Sequence, residues 1–349
     1  MDVVNHFSSA NGVPVGELLK GHFAVVTGGN SGIGTETVKA LAHAGCRVLM
    51  GSRTVANGEA ALRSEVIPPG LGGYAVPGAA ELVTVSQLEL EDPASIRAFA
   101  AAARAAAGAS GLQLLVLNAG IMALPSCERV GQGWEKQLGV NHFGHWLLTE
   151  ELRPALASPA RVVVVASEAH RMGTVDLKDL HFTGGRSYGA WSAYGQSKLA
   201  NVLFAKELHD QLAPKGVLCV SLHPGVIKTN LARHMGAWVK GGVGGWLFEH
   251  LVVDKTIPQG ASTSVFACLA PELPGGAVSA KGGREGGREG APRFFVNAEL
   301  IPLPHTVFQY LMNCAVGAPT SEGEDKNGEK RKALWAATAE AWRSAGGTG

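Results

Sequence analysis

Charge is scarce in this 349-residue chain. Asp, Glu, Lys and Arg make up 17% of it, and 30 basic against 29 acidic side chains leave a net charge of +1. Without a basic excess there is no electrostatic basis for binding nucleic acid. Cysteine is sparse as well: Cys46, Cys127, Cys219, Cys268 and Cys314 are scattered, odd in number and free of any C-x-x-C pair. That pattern argues for a reducing compartment and against a disulfide framework or a metal site. No apolar run reaches the roughly 18 residues that a membrane-spanning helix needs. Residues 1–21 carry neither the apolar stretch of a signal sequence nor the arginines of a transit peptide. They read as a short surface extension, and the expected location is cytoplasmic. What remains is apolar mass, 46% of the residues, which suits a globular chain with a substantial core.

That apolar mass comes in short runs. Strand-like segments fall at 23–27, 47–50, 82–90, 112–117, 161–166 and 217–222, and helical patterns at 35–44, 95–107, 133–152 and from Tyr194 onward lie between them. A loop rich in Gly and Pro occupies 67–80. Continuously apolar strands separated by helices imply a parallel sheet buried on both faces and joined by right-handed crossovers. The fold class is therefore α/β: a doubly wound, Rossmann-type parallel sheet with helices on both faces, in a single domain over 22–312. Past residue 225 the pattern loosens. Glycine and aromatic residues over 236–258 suggest a substrate lid, and 259–270 reads as a helix. The Gly/Arg/Glu-rich repeat within 275–292 reads as a low-complexity loop, and 294–296 as an edge strand. Residues 313–349 read as a charged linker followed by a C-terminal helix over 332–344.

Three sets of residues carry chemistry. Gly28, Gly32 and Gly34 stand between the first strand and the first helix in a G-x-x-x-G-x-G spacing. Glycine there lets the chain turn tightly and lets a diphosphate approach the amides of the helix N-terminus. The second strand ends at Gly51-Ser52-Arg53, where NAD sites place an acid for the ribose 2′-hydroxyl. A guanidinium at that point suits the 2′-phosphate of NADP instead. Third, Tyr194 and Lys198 lie four apart on a helix and so project from one face. An ammonium near a phenol favours the phenolate and should draw its pKa below about 10, which makes Tyr194 a candidate general acid/base. Tyr188 is a rival, but four residues on lies Ser192 rather than a lysine.

In order and spacing, Thr27 to Gly34, Asn118-Ala119-Gly120, Ser167, Tyr194-x-x-x-Lys198 and His223-Pro224-Gly225 resemble the compact branch of the short-chain dehydrogenase/reductase family. Val140-Asn141-His142-Phe143-Gly144-His145, Ser167-Glu168-Ala169-His170-Arg171 and Tyr194 to Asn201 are similar to the retinol dehydrogenases and the catalytic domain of the WW-domain-containing oxidoreductase. The resemblance covers about residues 22–270. It implies hydride transfer between a nicotinamide and a carbonyl or alcohol, with NADP(H) preferred and NAD(H) allowed. It also implies a catalytic set in which Tyr194 is the acid/base and Ser167 binds the substrate oxygen. Asn141 would hold a water in a proton relay, and Lys198 would tune Tyr194 and bind the ribose. Cofactor contacts implied by the same motifs are Gly28, Asn30, Ser31, Gly32, Ile33, Gly34, Arg53, Glu89, Leu90, Asn118, Ala119, Gly120, Tyr194, Lys198, Pro224, Gly225, Val226 and Thr229. Two departures stand out. Glu89-Leu90 replaces the usual Asp-Leu, and Leu117 replaces the first Asn of Asn-Asn-Ala-Gly. Neither touches the proton-transfer set.

The competing function is a catalytically silent nucleotide-binding or scaffold protein of the same fold, for which the Gly/Arg/Glu-rich loop and charged tail would serve partners. It requires cofactor binding without turnover. The expected partners of the enzyme are a small carbonyl or alcohol substrate and, compatibly, a second copy of the chain. Trp238, Trp246 and Phe248 in the lid would line an apolar pocket or rest in a membrane surface as a peripheral contact.

Overall fold

Six short strands form one parallel sheet in the computed structural model, which describes residues 2–66, 79–131, 133–225, 227, 256–270, 325 and 327–345. The strands are β1 Phe23–Thr27, β2 Arg47–Ser52, β3 Val83–Gln87, β4 Leu112–Leu117, β5 Leu156–Val165 and β6 Val217–Leu222. Their order is β3-β2-β1-β4-β5-β6, with every neighbouring pair parallel. Val25 sits in register with Leu49 on one side and Leu115 on the other. The chain thus winds outward from β1 in one direction and, from β4, in the other. That reversal opens a crevice at the carboxyl ends of β1 and β4, where open α/β sheets bind ligands.

Side-chain alternation along each strand feeds two cores. Ala24, Val26, Met50, Leu114, Val163 and Val165 face one layer, and Val25, Leu49, Leu115, Val162 and Val164 the other. The first layer is covered by α2 Gly32–His43 and, later in the chain, Ile257–Leu269. The second is covered by α4 Pro93–Ala107, α5 (136–152) and α6 Ala190–Leu212. The short α3, Val55–Ala61, follows β2. The helix α5 begins with Lys136–Leu138, passes through a π-helical turn at Gly139–Phe143 and continues as Gly144–Leu152. We number Ile257–Leu269 as α7 and Glu329–Ser344 as α8. Each fully buried Val, Leu or Phe in these layers contributes about 1.5–3 kcal/mol.

Several local expectations change. The N-terminal extension is not a loose surface segment: Asp2–Asn11 forms α1, with Val4 and Phe7 buried and the Phe7 ring 5.5 Å from Phe266 of α7. Val4 and Phe7 are three apart, enough to make one apolar stripe on a helix. The single helix expected over 133–152 starts instead with an antiparallel hairpin, Arg129–Val130 with Trp134–Glu135, and carries the π-turn. The α3 helix had no clear periodic signal, because Asn57 and Gly58 are weak helix formers. Thr54 starts it by accepting a bond from the Asn57 amide, and Gly58 is there because a Cβ would stand 2.3 Å from the Val85 side chain. The C-terminal helix packs into the second core with Leu334 and Trp342 buried. No described helix is long and apolar enough to cross a membrane. Residues 236–255 of the expected lid, the 275–292 loop, the 294–296 strand, Val226 and Thr229 lie outside the described residues.

Candidate active site

The crevice at the strand reversal is a cleft of about 270 Å³. One end of it begins where β1 turns at Gly28, whose φ of +64° suits glycine. A Cβ at Gly28 would stand 3.0 Å from the Ala119 Cα, and one at Gly34 would stand 2.2 Å from the Gly28 carbonyl oxygen. Gly34 therefore closes the turn by packing, while Gly28, Asn30, Ser31, Gly32 and Ile33 line the cleft. Ser31 is the N-cap of α2 but makes no side-chain capping bond. The first-turn N–H groups thus have no side-chain competitor for an anion. Arg53, Glu89 and Leu90 line the same end. Burial raises the Glu89 carboxyl above its usual range and Glu91 adds repulsion, with Arg53 pulling the other way.

Thr27 joins the two loops beneath this end. Its Oγ1 accepts from the amides of Asn118 and Ala119, both at 2.9 Å, and lies 2.9 Å from His145 Nε2. The two amides occupy the hydroxyl's lone pairs, so its proton goes to Nε2. His145 Nδ1 lies 3.1 Å from the Asn141 carbonyl, which only accepts, so Nδ1 carries the hydrogen. Burial agrees with this neutral tautomer, lowering the His145 pKa to about 3. The Asn118 side chain donates to the Thr27 carbonyl at 2.9 Å. His145 was the residue least visible in the sequence: it belongs to a quoted motif, but its partner Thr27 lies 118 positions away.

At the other end stand Ser167, Tyr194 and Lys198, all lining the cleft. Ser167 follows β5 and caps the short 3₁₀ helix Glu168–Met172, its Oγ accepting from the Ala169 amide at 3.2 Å. Its hydroxyl is also close enough to the Tyr194 phenol to favour the phenolate. Lys198 Nζ donates to the Val165 carbonyl at 3.0 Å and stands 5.7 Å from the centre of the Tyr194 ring. The ammonium was expected to draw the phenol down, but burial outweighs it. Burial pushes Tyr194 up to about 12, opposed by the nearby Ser167 hydroxyl, and pushes Lys198 down to about 8. Desolvation penalises both charged forms, and Lys198 reaches the ring face with its bond directed to Val165.

Asn141 completes the group from behind rather than from the cleft wall. Its Oδ1 accepts from the Ile121 amide at 2.8 Å, and its Nδ2 donates to the Ile121 carbonyl and to Ser197 Oγ, each at 2.9 Å. Ser197 in turn donates to the Tyr194 carbonyl at 2.7 Å. Tyr188 is elsewhere, donating to the Leu124 carbonyl at 2.8 Å and accepting from Gln137. Asn118, Ala119, Gly120, Pro224 and Gly225 reach the cleft, as expected. So do Ile121 and Met122, which lie outside the motifs, and Val140, Glu168 and His223, which belong to them but were not expected as contacts.

The placement of Ser167 beside Tyr194 depends on a close backbone crossing. A Cβ on Gly173 would stand 2.1 Å from the Gly195 carbonyl carbon and 2.4 Å from the Gln196 nitrogen. Neither is a flexible side-chain end, so Gly173→Ala must push the turn and α6 apart. The expected result is a destabilisation of about 1–3 kcal/mol or more by urea unfolding. An unchanged midpoint would show that the crossing has slack.

Residues 22–178 and 182–240 match the family model described as short chain dehydrogenase. The chain belongs to that family. The dehydrogenase is 42% identical over 263 residues to a Streptomyces antibioticus protein named as an oxidoreductase, covering 74% of this chain and 83% of that one. It is 40% identical over 259 residues to human retinol dehydrogenase 11, covering 73% and 75%. Among solved structures, an uncharacterized protein from Mycobacterium paratuberculosis superposes with a TM-score of 0.62 at 31% identity, covering 93% of this chain and 94% of the other. The dehydrogenase is therefore an oxidoreductase of a family that uses NAD(P) and acts on small molecules. Its glycine turn, uncapped helix start and cleft fit such a dinucleotide.

Proposed function

We propose that this dehydrogenase interconverts a carbonyl and an alcohol on an apolar substrate with NADP(H), Tyr194 serving as general acid/base. The observation that carries this reading is one cleft with Arg53 at one end and Ser167, Tyr194 and Lys198 at the other. A nicotinamide held in this cleft supplies or accepts the hydride. The protein's part is at the oxygen. Ser167 Oγ, its orientation set by the Ala169 amide, and the Tyr194 phenol are donors that stabilise charge building on a carbonyl oxygen. Tyr194 gives or takes the proton there, and Lys198 holds positive charge beside it. The Asn141 side chain is committed to Ile121 and Ser197, so we assign it the positioning of both loops around Lys198. Ile121, Met122 and Val140 give the cleft apolar surface, and Trp191, 41% exposed, stands 6.1 Å from the Tyr194 ring. That character suits retinoid-like or other apolar aldehydes and ketones, in keeping with relatives named retinol dehydrogenases.

The test is a panel of aldehydes, ketones and retinoids followed by NADPH and by NADH oxidation. Arg53→Ala should lower kcat/KM for NADPH about 10- to 100-fold, the worth of bonds to a charged group, and leave NADH nearly unchanged. A wild-type preference for NADH would overturn the cofactor assignment.

A further inference from the structure

We propose that the C-terminal helix α8, which lies outside the span matched by the family model, is a positioning element for the reaction: it holds the π-helical turn that carries Asn141. The inference rests on the role assigned above to Asn141 and Lys198. Its observations are independent of that role. Two side chains of α8 make polar contacts with the turn Gly139–Phe143, one residue and two residues past Asn141. The Trp342 indole Nε1 donates to the Phe143 carbonyl at 3.0 Å. Thr338 Oγ1 lies 3.2 Å from His142 Nε2 and donates its own proton to the Leu334 carbonyl at 2.8 Å. With that proton committed, the hydroxyl accepts from the histidine, so Nε2 carries hydrogen. Both contacts are buried, with Thr338 fully so and Trp342 4% exposed.

A π-turn departs from the regular i to i+4 ladder and is a site at which a helix is readily deformed. Here it is held from both sides. From inside, His145 bonds the Asn141 carbonyl, and the Asn141 side chain bridges Ile121 and Ser197. From outside, Thr338 and Trp342 of α8 meet the His142 imidazole and the Phe143 carbonyl, with Asn201 of α6 also acting on the imidazole. The helix itself is firmly seated. Trp335 stacks on Phe204 at 5.7 Å and meets Trp146 edge-on at 5.5 Å, while Trp342 meets Trp134 edge-on at 4.6 Å. Arg331 at its start pairs with Glu207 and Asp210 of α6 at 3.4 and 2.6 Å. A Cβ on Gly120 would stand 3.1 Å from Asn141 Oδ1 and 3.6 Å from Lys198 Nζ, so a shift of the turn reaches the cleft wall directly.

The test uses the full chain with Trp342→Phe and Thr338→Val, which remove the hydrogen-bonding groups and keep most of the packing. Thr338→Ser serves as the restoring variant. Amide hydrogen exchange is followed at Ile121, whose N–H bonds Asn141, and at Val163 in the sheet core. Both variants should speed exchange at Ile121 about tenfold and leave Val163 unchanged, with Thr338→Ser like wild type. In turnover, kcat should fall about tenfold while KM for NADPH stays within about twofold. Wild-type values for Ile121 exchange in both Trp342→Phe and Thr338→Val would overturn the proposal. A wild-type protein inactive on every substrate would sink the proposed reaction instead, and the exchange result would still decide the role of α8.

Discussion

Tyr194→Phe should abolish measurable turnover while the protein stays folded and binds cofactor. The substitution removes one hydroxyl from a side chain only 4% exposed, so ring packing is kept and the loss is chemical. General acid/base groups typically contribute about 10²–10⁴ in rate, and the effect should fall on kcat rather than on KM for cofactor. Burial holds the phenol up near 12 and the Lys198 ammonium down near 8. The pH profile of kcat/KM should consequently lose a limb in Tyr194→Phe. Stopped-flow NADPH oxidation across pH would read both. Turnover that survived intact would remove Tyr194 from the mechanism and leave proton delivery to another group. Tyr188→Phe is the matched control. It breaks the bond to the Leu124 carbonyl, away from the cleft, and should lower stability without lowering kcat per folded molecule.

Thr27→Val should be the most damaging isosteric change to stability. The hydroxyl is fully buried, accepts from two backbone amides and lies within bonding distance of His145. Valine keeps the shape but strands all three partners, and each unsatisfied buried group costs about 1–3 kcal/mol, so a total of about 3–9 kcal/mol is expected. Freed from Thr27, the Asn118-Ala119 loop no longer holds the cleft wall, and KM for the nucleotide should rise. Thr35→Val is the contrast. That hydroxyl is also buried but has no hydrogen-bond partner among the described residues. Replacing it should be neutral or stabilising, because the desolvated polar group is removed. Urea midpoints for the two variants decide the matter. Equal destabilisation would mean that packing, not hydrogen bonding, governs both positions.

The parts of the site that sequence could show are those whose geometry is local. Tyr194 and Lys198 meet because a helix turn brings positions four apart to one face, and no distant residue is needed to establish that. Gly28 and Arg53 were legible for a similar reason: each stands at the end of a short apolar strand, in a strand-turn-helix unit that fits within about thirty residues. The strands of the sheet were legible because a buried parallel strand leaves an uninterrupted apolar run. Overlapping or weak local signals concealed other elements. The hairpin before α5 was absorbed into a helix, and α3 was passed over because Asn57 and Gly58 hide it.

What sequence alone determined, then, is the order of strands and helices and the roster of residues able to carry a dehydrogenase site. The tertiary structure decided how those residues are held and how strongly each binds a proton. Asn141 became a bridge between Ile121 and Ser197, and His145 a neutral link from Thr27 to the π-turn. The C-terminal helix became part of the core and a contact of that turn. The expected depression of the Tyr194 pKa gave way to burial. The reason is physical. Periodicity and turn chemistry are set by neighbours along the chain, whereas desolvation and hydrogen-bond satisfaction are set by whatever the fold brings within a few ångströms, often from more than a hundred residues away.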